Sequence, residues 1–331
     1  MHAIVLHAFG PAANLRYERT EDPEPGPGQV RIAVAAAGVH MIDTALRSGD
    51  FDGPYPLPAL PTVPGREVAG TVDGVGEGVG REWLGRRVVA HLGMVPGGYA
   101  ERAVTSVDTP HVLPDGLGFA EAVAMVGTGR TAMGILRQAP VGPADVAVVT
   151  AAAGGIGTLL VQAARNAGAT VLGLAGGPAK AARVRELGAD AAVDYTADGW
   201  TAAARAALDG RAATVVFDAV SGDLGRGAVD LLGRGGRHVV YGWASGGALD
   251  LSDEERAVRG ITSAVVLGPA MARAGGPGGP GGLRALEEAA LAEAAAGRLR
   301  PAVHRFPLAD AAAAHTALES RGTAGKVVLI P

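Results

Sequence analysis

Residues 146–157 read Val-Ala-Val-Val-Thr-Ala-Ala-Ala-Gly-Gly-Ile-Gly, and Thr158–Arg165 continue as Thr-Leu-Leu-Val-Gln-Ala-Ala-Arg. The first part is an apolar, β-branched run typical of a buried strand, the second is a turn of small residues, and the third has a helical pattern. Small residues let the backbone approach a pyrophosphate, which free N–H groups at the helix start can hold. The stretch therefore predicts a dinucleotide site if strands and helices alternate around it.

Strands and helices do alternate regularly after this turn. The apolar runs predict strands at 145–150, 170–175, 191–195, 214–219, 236–241 and 261–267. Helices are predicted between them at 158–167, 179–187, 200–208 and 224–232. This alternation predicts an α/β fold with a doubly wound parallel sheet, the Rossmann type.

The part of the chain before residue 119 has a different pattern. Short apolar runs between Gly- and Pro-rich turns predict strands at 2–9, 29–37, 67–72, 87–90 and 99–104, which favours a compact β-rich domain. A closing strand at 325–330 needs a partner sheet, and this domain offers one. We therefore predict a dinucleotide-binding domain, 119–267, inserted into a β-rich domain made of 1–118 and 268–331. The Gly- and Pro-rich residues 274–282 predict a mobile loop.

Composition excludes several classes of function. The chain has 331 residues, a net charge of −4 and no cysteine. Disulfides, thiolate zinc sites and cysteine nucleophiles are therefore excluded. The negative net charge does not indicate binding to nucleic acid or to an anionic membrane. Apolar runs are too short to span a membrane, and Met1 leads into a strand rather than a signal peptide, so we expect a cytoplasmic protein.

Seven short motifs together resemble those of a known family. They are Gly38–Gly49, Pro64–Gly70, Gly97–Glu101, Gly129–Ala132, Ala151–Gly157, Arg185–Asp190 and Gly325–Leu329. In their order and spacing the chain resembles the zinc-free quinone oxidoreductase (zeta-crystallin-like) branch of the medium-chain dehydrogenase/reductase superfamily. The resemblance implies a Rossmann domain inserted into a GroES-like catalytic domain, reduction of a quinone or activated C=C with NAD(P)H, and a homodimer.

NADPH is the predicted cofactor. An acidic residue about twenty positions after the glycines would bind the ribose 2′-hydroxyl of NAD, but residues 158–185 contain no Asp or Glu. Lys180, one of two lysines in the chain, lies beside the expected ribose and fits a 2′-phosphate contact. A solvated helix residue is the alternative. Family members that use NADPH place a lysine and a following tyrosine here, which implies this role for Lys180 and Tyr195.

The motif and the resemblance assign further cofactor contacts. The turn provides Ala153, Gly154, Gly155, Ile156 and Gly157, and other segments provide Ala175, Gly176, Val220, Tyr241, Gly242, Ala244, Val265 and Leu267. The resemblance places Thr131 near the nicotinamide and its ribose, which makes it a candidate catalytic residue as well. It also implies that Lys326 reaches the cofactor from the terminal strand; a surface lysine is the alternative.

Zinc dehydrogenases share this architecture, but the resemblance shows that their ligands are missing here. A cysteine stands in them at the place of His40, and the histidine of a Gly-His-Glu motif stands at the place of Arg66. A guanidinium stays protonated and cannot bind a metal, and the remaining cysteine is absent with all others. We therefore predict no metal site, and without a Lewis acid alcohol oxidation is disfavoured.

Reduction of an enone or quinone needs mainly positioning, helped by a donor or proton source near the developing enolate oxygen. His40 is the candidate for this role, with a cleft-wall residue as the alternative. Asp43 is expected to fix its loop, while Phe51 and Tyr55 are predicted to border the substrate pocket. Many relatives have a tyrosine two positions after this aspartate, where this chain has Ala45.

Together these features predict an NADPH-dependent, zinc-independent reductase of small-molecule quinones or α,β-unsaturated carbonyls. An enoyl-thioester reductase of polyketide or fatty-acid type is an alternative, because related reductase modules share the motifs. A non-catalytic NADPH-binding protein is a second alternative, which the alanine at position 45 keeps open.

Overall fold

The computed structural model describes residues 1–51, 56–93, 95–274 and 281–331. The chain forms two compact units. One consists of Met1–Gly127 and Pro301–Pro331, and the other of Thr128–Arg300. None of the described helices combines the length and the apolarity that crossing a membrane requires.

The elements follow one another in three segments. Residues up to 127 form β1 (His2–Leu6), β2 (Leu15–Arg19), β3 (Gln29–Val39), α1 (Met41–Ser48), β4 (Glu67–Val75), β5 (Arg87–His91), β6 (Arg102–Ser106), β7 (His111–Val112) and α2 (Phe119–Ala124), with a π-helical turn at Met125–Gly129. The second unit contains α3 (Arg130–Gln138), β8 (Val146–Val149), α4 (Gly155–Asn166), β9 (Thr170–Ala175), α5 (Pro178–Glu186), β10 (Ala191–Asp194), α6 (Trp200–Ala207), β11 (Ala213–Asp218), α7 (Gly222–Val229), β12 (Leu232–Val240), α8 (Asp253–Arg259), β13 (Thr262–Val265), α9 (Pro269–Ala274) and α10 (Gly281–Ala295). The chain then returns to the first unit with β14 (Val303–Pro307), α11 (Ala311–Glu319) and β15 (Lys326–Ile330). Single 3-10 turns lie at Ala12–Asn14, Arg81–Trp83 and Leu308–Asp310.

The second unit is built on a six-stranded parallel sheet in the order β10-β9-β8-β11-β12-β13. The central strand β8 is buried at every position, as expected when helices cover both faces of a sheet. The order reverses between β8 and β11, which makes the sheet doubly wound. The predicted Rossmann-type sheet is confirmed.

The first unit is built on a sheet in the order β14-β15-β3-β4-β5-β7, with β6 paired to β3, while β1 and β2 form a separate antiparallel pair. Strand β15 runs antiparallel to β3, with Val327 opposite Val39. The closing strand therefore does complete the N-terminal sheet. Its core is built from aliphatic side chains, among them Ile4, Ile32, Val68, Val88 and Leu329.

Three local predictions differ from the structure. Strand β2 was not expected, because Leu15–Arg19 is mostly polar and exposed. The strand predicted at 99–104 begins at Arg102, because the backbone N–H of Tyr99 donates to Pro64 instead of to a neighbouring strand. Of the predicted loop at 274–282, the first residue ends α9 and the last two begin α10, while 275–280 lie outside the described residues.

The two units divide the chain after residues 127 and 300, whereas the sequence suggests divisions after 118 and 267. Helix α10 packs against α3 and α9 of the second unit, and Arg130 donates to Glu287 at 2.8 Å. Helix α2 instead packs against β3 and β4. Alanine-rich helical sequence does not reveal which sheet a helix will cover, and this accounts for the displaced boundaries.

Candidate functional site

Three ionisable side chains form a buried charge cluster in the first unit: His40, Glu67 and Lys326. One carboxylate oxygen of Glu67 lies 2.6 Å from Nε2 of His40, and the other lies 2.9 Å from Nζ of Lys326. The Lys326 Nζ is also 2.7 Å from the same histidine nitrogen. Glu67 is fully buried, and Lys326 is only 4% exposed. Each of the three charged groups therefore contacts the other two.

The register of the sheet assembles this cluster. Lys326 precedes Val327, which lies opposite Val39 of β3, so the lysine comes next to His40. Glu67 precedes Val68, which lies opposite Ala37 of the same strand, so the glutamate comes next to Gly38. Because side chains alternate between the faces of a sheet, a shift of one residue in either pairing would separate the charges.

Two glycines leave room for the Glu67 carboxylate. A Cβ atom added to Gly38 would lie 2.3 Å from one carboxylate oxygen, and a Cβ added to Gly127 would lie 1.6 Å from the other. Both positions therefore need glycine for a close approach rather than for an unusual backbone conformation.

The neighbouring charges keep Glu67 ionised. Burial alone would raise the pKa of the Glu67 carboxyl, but the charges of His40 and Lys326 outweigh it and hold that pKa well below its ordinary value of 4.5. Burial lowers the pKa of the Lys326 ammonium, and the Glu67 carboxylate opposes that shift. Removing one of the three charged groups would therefore leave the remaining buried charge without full compensation.

A second buried network fixes the start of α1. One carboxylate oxygen of Asp43 accepts hydrogen bonds from the backbone N–H of His40 at 2.8 Å and from the Tyr99 hydroxyl at 3.1 Å. The other oxygen accepts from Nε of Arg66 at 3.3 Å. The Tyr99 hydroxyl also contacts Nε2 of His315 at 3.2 Å, and burial lowers the pKa of that histidine to about 4. Asp43 therefore has the loop-fixing contacts expected from the sequence.

A cavity of about 340 Å³ lies beside this network, within the first unit. Its lining is mostly apolar and consists of Leu6, Asp43, Leu46, Arg47, Pro56, Leu57, Pro58, Ala59, Thr62, Pro64, Gly65, Arg66 and Pro96. A cavity of this size and lining suits a small organic molecule. Phe51 is not among these lining residues, and Tyr55 lies outside the described residues.

The glycine turn of the second unit lies between β8 and α4. Gly154 precedes the first residue of α4, and its N–H donates to the Ala151 carbonyl at 2.8 Å. A Cβ at Gly157 would lie 2.4 Å from that carbonyl oxygen, so the turn closes only around glycine. The first N–H groups of a helix have no partner within it. Ala153, Gly155 and Ile156 complete the turn, which has the form of an anion-binding site.

The turn after β9 brings Gly176 next to Tyr195, two of the predicted cofactor residues. A Cβ at Gly176, which follows Ala175, would lie 2.9 Å from the Tyr195 hydroxyl. Lys180 lies in the first turn of the adjoining helix α5, where partial burial lowers the pKa of its ammonium. Lys180 comes after the end of β9, where the sequence predicts a residue beside the ribose, and that contact stays a prediction.

The remaining predicted cofactor residues follow the carboxyl ends of parallel strands. Val220 and Tyr241 are buried just after β11 and β12, Gly242 and Ala244 follow, and Val265 and Leu267 lie at and after the end of β13. Because the strands are parallel, these residues lie at the same edge of the sheet as the glycine turn. Thr131 is the second residue of α3.

Lys326 is a buried lysine rather than a surface one, and its ammonium is engaged by Glu67 and His40. Its predicted contact with the cofactor stays a prediction. In the sequence, Glu67 stands out only in the stretch Gly65-Arg66-Glu67, where zinc dehydrogenases have Gly-His-Glu. The partnership of the two residues depends on sheet register, which no local motif encodes.

A zinc ion does not fit the residues at this place. The described parts of the chain hold no group of three or more His, Asp and Glu side chains arranged to bind a metal. His40 turns its Nε2 to the Lys326 ammonium, and Arg66 is paired with Asp43. A divalent ion between the imidazole and the Glu67 carboxylate would have to displace that ammonium.

The chain is similar to known proteins along its whole length. Residues 26–127 match the alcohol dehydrogenase GroES-like domain family, and residues 187–329 match the zinc-binding dehydrogenase family. A quinone oxidoreductase of Pseudomonas aeruginosa is 33% identical over 99% of both chains. A 2-haloacrylate reductase of a Burkholderia species is 33% identical over 99% of this chain and 98% of its own. The crystal structure of Escherichia coli quinone oxidoreductase complexed with NADPH covers 100% of both chains at 29% identity, with a TM-score of 0.85.

Removing the cation of the charge cluster should destabilise the protein. Lys326→Met leaves the Glu67 carboxylate buried beside His40 alone, and breaking a buried pair from one side costs about 3–5 kcal/mol. We expect a lower midpoint in thermal or urea unfolding followed by circular dichroism. Lys180→Met, at the only other lysine, is the matched control and should unfold like the wild type.

The pH dependence provides a second measurement on the same cluster. Because the pKa of Glu67 is depressed in the folded protein, its stabilisation is present above 4.5 and is lost as the pH falls through the folded value. Glu67→Gln should therefore lose less stability than the wild type on acidification below pH 4.5. Identical acid unfolding of the two proteins, together with wild-type stability of Lys326→Met, would show that the cluster does not stabilise the fold.

Proposed function

Because the chain belongs to the quinone oxidoreductase branch of the medium-chain dehydrogenase/reductase superfamily, we propose that it is an NADPH-dependent, zinc-independent reductase of quinones or α,β-unsaturated carbonyls. One observation carries the cofactor assignment: Lys180 follows the β9 turn, where Gly176 adjoins Tyr195, and this turn shares a sheet edge with the glycine turn. When bound, NADPH supplies the hydride.

The second unit offers a site for each part of this cofactor. The N–H groups at the start of α4, with residues 153–157, hold the pyrophosphate. Lys180 and Tyr195 bind the 2′-phosphate beside Ala175 and Gly176, because a cation and a hydroxyl both donate to phosphate oxygens. The remaining contacts come from Thr131, Val220, Tyr241, Gly242, Ala244, Val265 and Leu267.

The first unit offers a site for the acceptor. Its cavity of about 340 Å³ is lined mainly by proline and leucine, which suits a flat apolar ring or a short enone. Next to this cavity Arg66 and Lys326 are paired with the carboxylates of Asp43 and Glu67, and a guanidinium or an ammonium cannot bind a metal. On this basis the enzyme is proposed to be independent of zinc. Extended dialysis against a chelator should leave its activity unchanged.

His40 is the proposed proton donor. A hydride added to the β-carbon of an enone leaves an enolate, which needs a proton at its α-carbon to restore the carbonyl. The His40 side chain is 24% exposed, while its Nε2 lies 2.7 Å from the Lys326 Nζ. Imidazole exchanges protons near neutral pH, and Lys326 is placed to resupply a proton to it.

The protein is also proposed to act as a cytoplasmic homodimer. Strand β13 is an edge of the parallel sheet within the described residues, and Thr262, Ala264 and Val265 on it are exposed. An exposed edge strand offers unpaired N–H and C=O groups to a second copy of the chain. Sedimentation equilibrium at several protein concentrations tests this assembly.

A panel of acceptors tests the proposed activity. NADPH consumption should be followed by its absorbance with benzoquinones, naphthoquinones, enals, enones, 2-haloacrylate and enoyl thioesters. We expect turnover with quinones or enones. Turnover confined to enoyl thioesters would favour the polyketide-type alternative. Tight binding of NADPH without turnover of any acceptor would favour a non-catalytic binding protein.

Lys180→Ala should separate the two dinucleotides. Loss of a charged hydrogen bond to the 2′-phosphate, worth about 1.5–3 kcal/mol, should raise the Kd for NADPH roughly 10- to 100-fold. The Kd for NADH should stay unchanged, because NADH lacks that phosphate. Fluorescence titration measures both constants. Arg165→Ala, at an exposed cation in the last turn of α4, is the control. Equal increases in the Kd values for NADPH and NADH would indicate a structural role for Lys180 instead.

His40→Asn should affect enones more than quinones. Carbon protonation of an enolate benefits from a general acid, typically by about 10²-fold or more, whereas the oxygen of a reduced quinone exchanges protons directly with water. We expect turnover of an enone to fall by that factor while turnover of a quinone is nearly retained. Steady-state kinetics with both acceptors measures the difference, and an equal effect on the two would leave His40 as a wall residue.

A further inference from the structure

We propose that Arg66 is the catalytic electrophile for the acceptor: its guanidinium stabilises the negative charge that develops on the carbonyl oxygen, and Asp43 is the residue that positions it. This inference rests on the proposed function, because it places the acceptor in the cavity of the first unit.

The backbone of Arg66 is held from two sides. Its carbonyl accepts a hydrogen bond from the N–H of Leu92 at 2.7 Å. The preceding residue, Gly65, has a φ of +90° and packs so closely on Tyr99 that a Cβ would lie 2.2 Å from the ring. The backbone position of Arg66, directly before Glu67 at the start of β4, is therefore fixed.

The side chain of Arg66 is oriented by a carboxylate that is itself fixed. Its Nε donates to Asp43 at 3.3 Å, and Asp43 is held by the N–H of His40 and the hydroxyl of Tyr99. The Asp43 side chain is 3% exposed, while that of Arg66 is 11% exposed and lines the cavity. A guanidinium held through Nε keeps its plane in a fixed orientation, because its N–H donors form a rigid fork.

The other cation of the cavity is not suited to this role. Arg47 is 4% exposed, pairs with Glu319 and donates to the carbonyl of Thr44. Apart from Asp43, Arg47 and Thr62, the residues that line the cavity with Arg66 are apolar, and a charge-assisted hydrogen bond in such surroundings is stronger than in water. A guanidinium also keeps its charge at every physiological pH. Of the two lining arginines, Arg66 is the more exposed, and its guanidinium is oriented by a carboxylate that is itself fixed.

In this reaction the negative charge develops on the carbonyl oxygen of the acceptor. A hydride brings two electrons to the β-carbon of an enone; the C=C π bond breaks, and the electron pair moves through the α-carbon to the carbonyl oxygen. Arg66 donates hydrogen bonds to that oxygen and keeps its own proton. A separate proton, from His40 or from water, then completes the product. A quinone follows the same course, with the charge on its phenolic oxygen.

Substitution of Arg66 tests the proposal. Removal of a donor to a developing oxyanion typically lowers kcat about 10²–10³-fold, so Arg66→Met should lower kcat/KM for quinone and enone by about that factor. The Kd for NADPH should not change, because the residue acts on the acceptor. Arg66→Lys should recover part of the loss, and added guanidinium ion should partly rescue Arg66→Met. Arg81→Met, at an exposed arginine of the same unit, is the control.

A measurement without turnover separates this inference from the proposed function. 4-Nitrophenol bound to the protein reports by its absorbance how far it is ionised. At fixed pH we expect more phenolate on the wild type than in free solution, and loss of this excess in Arg66→Met. Where Arg66→Met fails to fold, as judged by circular dichroism, Arg66→Lys provides the same comparison.

Failure of the proposed function and failure of the Arg66 role give different results. A wild-type protein that reduces none of the quinones and enones would overturn the proposed function, whatever Arg66 does. A wild type that reduces them, with Arg66 variants that keep both kcat/KM and the ionisation of 4-nitrophenol, would overturn the role of Arg66 alone.

Discussion

The antiparallel pairing of β15 with β3 is the constraint on which the first unit depends. It closes the sheet with a strand that lies beyond the whole inserted unit, and it brings Lys326 to His40, 286 residues away in sequence. The pairing of β3 with β4 adds Glu67 at the same end of the sheet. The same strand register therefore buries the apolar side chains and brings a cation to the buried Glu67 carboxylate.

Much of the fold could be predicted from the sequence. Continuous apolar runs mark strands that are buried on both faces, and the glycine turn after β8 sets the type of sheet. Strand β2 was missed because a half-exposed hairpin carries little apolar signal. The boundaries were displaced because the alanine-rich helices α2 and α10 show their packing partners only in three dimensions.

The candidate site was less predictable. The positions of the predicted cofactor residues follow from motifs, because a helix start after a strand is local structure. The contacts of Glu67 with Lys326, and of Asp43 with Tyr99 and Arg66, join segments that are distant in sequence. The sequence shows that the cysteine and histidine ligands of zinc dehydrogenases are missing; it does not show that Arg66 and Lys326 form ion pairs with Asp43 and Glu67.

The division of the first unit between two stretches of sequence has a consequence for synthesis. Domains generally fold as units while the chain is being made, and Thr128–Arg300 is continuous, so the second unit can complete its sheet first. The first unit has to wait for β14 and β15. Until residue 326 has been made, the Glu67 carboxylate has no ammonium partner, and the N-terminal sheet has an open edge at β3. The incomplete chain is therefore most prone to aggregation before Pro301–Pro331, the second segment of the first unit, has been made.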